Sequence, residues 1–239
     1  MDNRFTIRLI SAMSNPATIA YIAMHQDYCD ELAVDTKIPN EQACGEIIVK
    51  QLLAGNRGHF GCLEHPQIVL NVGFFPHSTM QQLRTHRVGV SFDVQSFRYT
   101  SSKILKVAEG LLTPDEVFYL RPVGFYSNRQ GGKYYYCEQQ RESDLQTILE
   151  ACKAYSFKIS KGMSEEQARG LIPFDVRQHF VLSCNARSLM HILDLRWKLD
   201  AQLECQQFCD LLFDQFLDWL PSVAVWYGQN RGKKAILSP

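Results

Sequence analysis

Gln67-Ile-Val-Leu-Asn-Val-Gly-Phe-Phe-Pro-His-Ser-Thr-Met-Gln-Gln-Leu-Arg-Thr-His-Arg87 changes its periodicity partway along. Ile68, Leu70, Val72 and Phe74 alternate with polar or small neighbours, which places them on one face of a strand over 67–75. From Ser78 or Thr79 the spacing becomes helical, with Met80 and Leu83 turned inward. A second strand is predicted over 174–184, where Val176, Phe180 and Leu182 keep even spacing, and Asn185 is placed to cap the helix that starts near Ala186. Strands and helices are interspersed, so the chain reads as α/β or α+β, with residues 1–239 forming a single domain.

The rest of the chain fits this frame. Residues 41–54 form an amphipathic helix capped by Asn40, with Gly55 near its end. Residues 88–97 hold Gly, Ser, Asp and Gln and are expected to be a loop. Pro114, Pro122, Gly124, Gly131 and Gly132 punctuate 103–140, an excursion from the core that carries Tyr134-Tyr135-Tyr136. A long helix follows at 142–160, with Leu145, Leu149, Cys152 and Ile159 on one stripe. Ser164-Glu-Glu-Gln167 has the form of a capping box, and Pro173 ends the short helix it opens. Leu189, Ile192 and Leu193, then Leu203, Phe208, Leu211, Leu212, Phe216 and Trp219, predict two consecutive helices joined near Leu199. The tail after Trp226, from about residue 227, is expected to be loose.

Composition removes several classes of function. Of the 239 residues 46% are hydrophobic and 21% charged, enough apolar material for a sizeable core. Lys+Arg (25) balances Asp+Glu (25), so the cationic field of a general nucleic-acid binder is missing. No apolar run approaches the roughly 18–20 residues that span a bilayer, and the first residues lack a signal-peptide pattern, so the expected location is the cytoplasm. Eight cysteines without a Cys-x-x-Cys read as reduced, mostly buried thiols. No metal is expected; a hydrolase using His59, Glu64 and His65 lacks an organised ligand set.

Chemistry concentrates at 81–99. In nineteen residues this stretch holds Arg84, His86, Arg87, Arg98, two serines and three glutamines, with Asp93 its only acid. Such an excess of donors requires an external anion or acids supplied from elsewhere in the fold; taken singly, each arginine is an ordinary surface ion-pairing residue. Arg84 and Arg87 are neighbours on one helix face, and Ser96-Phe97-Arg98 can form a small phosphate nest. Asn185-Ala-Arg187 opens a helix whose N-terminus favours anions, and His191 and Arg196 follow on the same element. Arg196 lies among Leu193, Leu195 and Trp197, and needs a defined partner. The alternatives are an ion pair with Asp194 or Asp200, or a bound ligand. Arg169 stands before the apolar turn to Pro173.

Taken together and in order, Arg84-Thr-His86-Arg87, Ser91, Ser96, Arg98-Tyr99, Ala168-Arg169…Pro173 and Asn185-Ala-Arg187-Ser-Leu-Met…Leu195-Arg196 resemble the flavin-dependent thymidylate synthases, as do Gly58-His59 and Glu64-His65 upstream. Thr85 makes the signature one residue longer than its usual form. Asp93 and His191 stand where Asn is common, and Asp200 where His is common. The resemblance implies a central mixed or antiparallel sheet flanked by helices, and a homotetramer with sites shared between subunits. It implies FAD as cofactor, dUMP as substrate, 5,10-methylenetetrahydrofolate as one-carbon donor and NADPH as reductant. It assigns Gly61, Arg84, Thr85, His86, Arg87, Asn185, Arg187 and His191 to FAD, and Gln81, Arg84, Gln95, Ser96, Phe97, Arg98, Arg169 and Arg196 to dUMP. The resemblance further implies that Arg196 faces the uracil ring as the catalytic residue. A reading from another class is a nucleotide or single-stranded nucleic-acid binding module without catalysis, using the arginines and Tyr134–Tyr136.

Overall fold

The computed structural model describes residues 1–55, 58–128 and 130–234. In chain order it runs β1 (Thr6–Ala12), α1 (Pro16–Gln26), α2 (Glu41–Ile48), β2 (Gln67–Pro76), α3 (His77–Leu83), β3 (Val90–Val94), α4 (Phe97–Thr100), α5 (Ser102–Ala108) and α6 (Pro114–Val117). There follow β4 (Gly124–Ser127), β5 (Lys133–Tyr136), α7 (Glu138–Ser160), α8 (Glu165–Ala168), β6 (Arg177–Asn185), α9 (Ala186–Arg196), α10 (Leu203–Trp219) and α11 (Pro221–Asn230). One sheet has the order β1-β2-β6-β3, antiparallel throughout, and β4 with β5 makes a separate hairpin. With helices packed against the sheet, the fold is of the α+β kind.

The centre of that sheet follows from side-chain alternation. Ile68, Leu70 and Val72 on β2 and Phe180, Leu182 and Cys184 on β6 are buried together, and an aliphatic side chain so placed contributes about 1.5–3 kcal/mol. The helices α9, α10 and α11 cover them with Leu189, Ile192, Leu193, Phe208, Leu212, Phe216 and Tyr227. The strand expected at 67–75 is present, but its alternation breaks at Phe74. That residue is the extra one of a β-bulge between Gly73 and Phe75 and has a positive φ of 68°. Phe75, not Phe74, therefore points into the core, fully buried and stacked on Phe5.

Asn40 caps α2 as expected, its side chain accepting from the Ala43 amide at 2.9 Å, and the helix continues through a π-helical turn at Val49–Leu53. Three other expectations are corrected. Residues 88–97 are not a loop: Val90–Val94 forms β3 on the outer edge of β6, with Ser91 and Asp93 facing out. Residues 103–140 are not an excursion as a whole. Ile104, Val107, Val117 and Phe118 join Ile148, Cys152, Tyr155, Ala168 and Val176 in a second apolar cluster, and only the β4–β5 hairpin projects. Residues 227–234 are not loose either. The last helix runs to Asn230, Tyr227 is fully buried, and its hydroxyl donates to Asp194 at 2.8 Å; residues 235–239 lie outside the described residues.

Candidate active site

Both ends of the sheet's central strands turn into helices, and this brings the signature segment against α9. Asn185 ends β6 and caps α9, accepting from the Ser188 amide at 2.8 Å. Its own amide donates to the Gly89 carbonyl at 3.2 Å, and the Ser188 hydroxyl donates to the Val88 carbonyl at 2.8 Å. Gly89 adopts a φ of +65°, and a Cβ there would overlap the side chains of Asn185 and Ser188. The chain leaving α3 is thus pinned to the start of α9, with Arg84, Thr85, His86 and Arg87 laid along that helix.

The far end of α9 supplies Arg196. Its Nε donates to His86 Nε2 at 3.2 Å, one terminal nitrogen to Gln82 Oε1 at 3.3 Å, and the other to the Gln82 carbonyl at 3.0 Å and the Thr85 hydroxyl at 2.8 Å. Every one of these partners is neutral. Of the two carboxylates considered for it, Asp194 instead holds Arg231 at 2.6 Å and Asp200 pairs with Lys198 at 3.5 Å. His86 is buried, and its pKa falls to about 4 through loss of solvation, then the Arg196 charge, then His191. Its ring meets His191 edge-on at 5.4 Å, and burial followed by Arg187 and Arg196 also lowers the pKa of His191. At neutral pH His86 is an imidazole whose Nε2 accepts, which fixes its proton on Nδ1.

A second group lies at the start of α4. Ser96 caps that short helix, accepting weakly from the Arg98 amide at 3.4 Å. Arg98 pairs with Glu166 on α8 at 2.7 Å, and Arg169 follows α8, exposed. Gln95 Oε1 accepts from Lys103 at 3.3 Å; the same ammonium donates to the Arg177 carbonyl at 2.9 Å and sits 5.3 Å above the Phe97 ring. Burial lowers the Lys103 pKa to about 8. A third group joins Arg187 to Glu64 at 2.6 Å, with Gly61 in the same 3-10 turn as Glu64. Gln81, exposed on α3, contacts His77 at 2.9 Å.

Acids from elsewhere in the fold therefore reach Arg98 and Arg187. Among the described residues no carboxylate pairs with Arg84, Arg87, Arg169 or Arg196. No hydrogen bond or ion pair joins the Arg98–Arg169 group to Arg196 within the described chain. A cleft of about 690 Å³ lies elsewhere, lined by Ala17, Glu41, Val49, Leu220 and Val225, and holds none of the predicted site residues. Among the described residues no group of His, Cys, Asp and Glu could hold a metal, and no helix is long and apolar enough to cross a membrane. Two residues of these groups are not evident from the sequence: Gln82, whose side chain and carbonyl both hold Arg196 and whose only signal is its proximity to Arg84, and Lys103.

Among the described residues, guanidinium groups left without carboxylates beside neutral imidazoles make a site whose charge suits an anionic ligand. The family described as thymidylate synthase complementing protein matches residues 8–222, and the chain belongs to it. A flavin-dependent thymidylate synthase of Haloarcula marismortui is 30% identical over 98% of this chain and 99% of its own length, and that of Halobacterium salinarum is 30% identical with the same coverage. Among solved structures, a UMP/dUMP methylase, PolB from Streptomyces cacaoi bound with 5-Br dUMP, superimposes with a TM-score of 0.76 at 21% identity, covering 98% of this chain and 97% of that one. Thymidylate synthase X from Helicobacter pylori, with FAD and dUMP, gives 0.66 at 19% identity, covering 92% and 99%.

Proposed function

We propose that the chain is a flavin-dependent thymidylate synthase, a methyltransferase that converts dUMP to dTMP with 5,10-methylenetetrahydrofolate as one-carbon donor and NADPH as reductant. The observation that carries this reading is Arg196: a guanidinium held by four hydrogen bonds to neutral groups, with its charge left for a ligand.

The donor set fits FAD. Arg84 and Arg87 are exposed at the end of α3 and pair with no carboxylate among the described residues, and His86 and His191 are uncharged aromatic rings beside them. In this reading Arg84, Thr85, His86, Arg87, Arg187 and His191 hold the cofactor, with Gly61 giving close backbone approach and Asn185 shaping the helix start. When bound, FAD supplies the redox chemistry of the reaction.

The protein's own part is to bind, orient and polarise. The monophosphate of dUMP is close to a dianion, which Arg98, Arg169 and Arg84 meet with charge-assisted hydrogen bonds, together with the Ser96 hydroxyl. Gln81 and Gln95 orient the nucleotide, Gln95 being steadied by Lys103, and Phe97 closes one side of its pocket. Beside the uracil ring, Arg196 favours the enolate-like form by stabilising charge that develops on the carbonyl, which raises electron density at carbon 5. Because its partners are neutral, that charge is not already compensated.

The open placement of these groups on one chain supports a homotetramer whose sites are completed by neighbouring copies, and eight free thiols suit a reducing cytoplasm. An absorbance spectrum of the purified protein tests the reading: flavin bands bleached by NADPH without oxygen, and dTMP formed from dUMP, are expected. A colourless protein that takes up no added FAD would overturn it.

A further inference from the structure

Behind Arg196, away from the arginine cluster, a chain of side-chain hydrogen bonds runs into the core. Arg196 donates to Gln82 Oε1 at 3.3 Å, an atom that also accepts from the Cys205 thiol at 3.5 Å. Gln82 Nε2 donates to Gln202 Oε1. Gln202 Nε2 donates to Glu204 Oε2 at 2.8 Å and to the Ser78 hydroxyl at 3.1 Å. Glu204 is 2% exposed, and its carboxylate also accepts from Arg121 Nε at 2.8 Å and from the Tyr119 hydroxyl at 3.1 Å.

The chain has one direction. A carboxylate only accepts, so Gln202 must turn its NH₂ toward Glu204 and its oxygen toward Gln82. Gln82 must then donate to Gln202, which leaves its own oxygen facing Arg196. Flipping either amide would set oxygen against oxygen in a half-buried site. Aligned amides polarise one another, so the Gln82 oxygen becomes a stronger acceptor than an isolated amide. Direct contact with a carboxylate would instead neutralise the guanidinium that the reaction uses.

We propose that Gln82 and Gln202 are positioning residues for Arg196, oriented by Glu204, which steadies the guanidinium through two amides without cancelling its charge. This rests on the catalytic role given to Arg196 above. Gln82, Gln202 and Glu204 lie outside the residues that the family resemblance assigned to FAD or dUMP.

Gln202→Met, Gln82→Met and the double variant test it, since Met keeps the length of the side chain and leaves the Glu204–Arg121 pair in place. Each single variant is expected to lower kcat about tenfold, the worth of one hydrogen bond to a charged group, with the KM for dUMP within about twofold, flavin content unchanged and Tm near wild type. The double variant is expected to be no slower than the worse single one, because both break the same chain. In the ligand-free protein, the Arg196 Nε–H resonance, assigned by its loss in Arg196→Lys, is expected to move in Gln202→Met although the two residues do not touch. An unmoved resonance, a Gln202→Met kcat within twofold of wild type, losses that multiply in the double variant, or losses that follow Tm would each overturn the proposal. If the wild-type protein forms no dTMP, the functional reading fails, while the resonance still decides the fate of the hydrogen-bonded chain.

Discussion

Arg177 at the start of β6 and Arg196 at the end of α9 are two arginines set into the same fold under opposite rules. Arg177 is 2% exposed and meets Asp2 at 2.6 Å, the Phe74 carbonyl at 3.1 Å, the Asp115 carbonyl at 3.1 Å and the face of Tyr119. Its charge is consumed in tying the N-terminus to the sheet. Arg196 makes four hydrogen bonds, one more than Arg177, and all go to neutral groups. The first pattern serves stability. The second leaves a charge available for chemistry, and the presence or absence of a carboxylate separates them.

The comparison can be broken at either arginine. Arg177→Met takes the nearer of two cations from the Asp2 carboxylate and leaves it Arg4 alone, a loss at the lower end of the roughly 3–5 kcal/mol that breaking a buried pair costs. Chemical denaturation should show that loss; a variant as stable as wild type would make Arg177 dispensable. Arg196→Ala is expected to keep its flavin and unfold near the wild-type temperature while turnover falls by roughly 10²–10³, the worth of one charge-stabilising contact. Near-normal turnover would remove Arg196 from the chemistry.

Arg98 sharpens the contrast as an intermediate case, exposed and paired with Glu166. Arg98→Ala should raise the dUMP KM about tenfold, as expected for one charge-assisted bond, with kcat little changed in initial-rate measurements. His86 gives an effect that is absent at neutral pH and confined to acid. Its folded pKa of about 4 lies below its ordinary 6.5, so between these values the unfolded chain binds more protons and stability falls as pH drops. Wild-type Tm should therefore decline from pH 6.5 toward 4 more steeply than that of His86→Asn, and parallel curves would show that His86 is not held neutral.

Much of this was legible in the sequence, for physical reasons that also mark where legibility stopped. Alternation disclosed β2 and β6, and capping chemistry at Asn40, Ser164 and Asn185 disclosed three helix starts, because those signals are local. The strand β3 was hidden: Val90, Phe92 and Val94 do alternate, but Ser91 and Asp93 on the solvent side of an edge strand look like loop residues. The last helix was missed because Tyr227 and Arg231 owe their order to Asp194, a partner contributed by α9. The site divides in the same way. Arginines crowded into 84–98 stood out by charge imbalance, whereas Glu204 looked like any acidic residue in the first turn of a helix until the fold enclosed it. The contrast between Arg177 and Arg196 was likewise invisible, since every partner of the former is distant in sequence.

The bulge at Phe74 gives this chain a spare residue. Its left-handed backbone is a region that glycine or asparagine enters more readily than phenylalanine, so the identity of the residue is negotiable. So is its presence: without it Phe75 stays opposite Gln178 and Pro76 opposite Arg177, Phe75 still faces the core, and α3 keeps Gln82 and Arg84 in place beside Arg196. Shortening Phe74-Phe75 to a single phenylalanine should therefore leave flavin content unchanged and Tm close to wild type, so that ancestry here is free to vary in length as well as in letter.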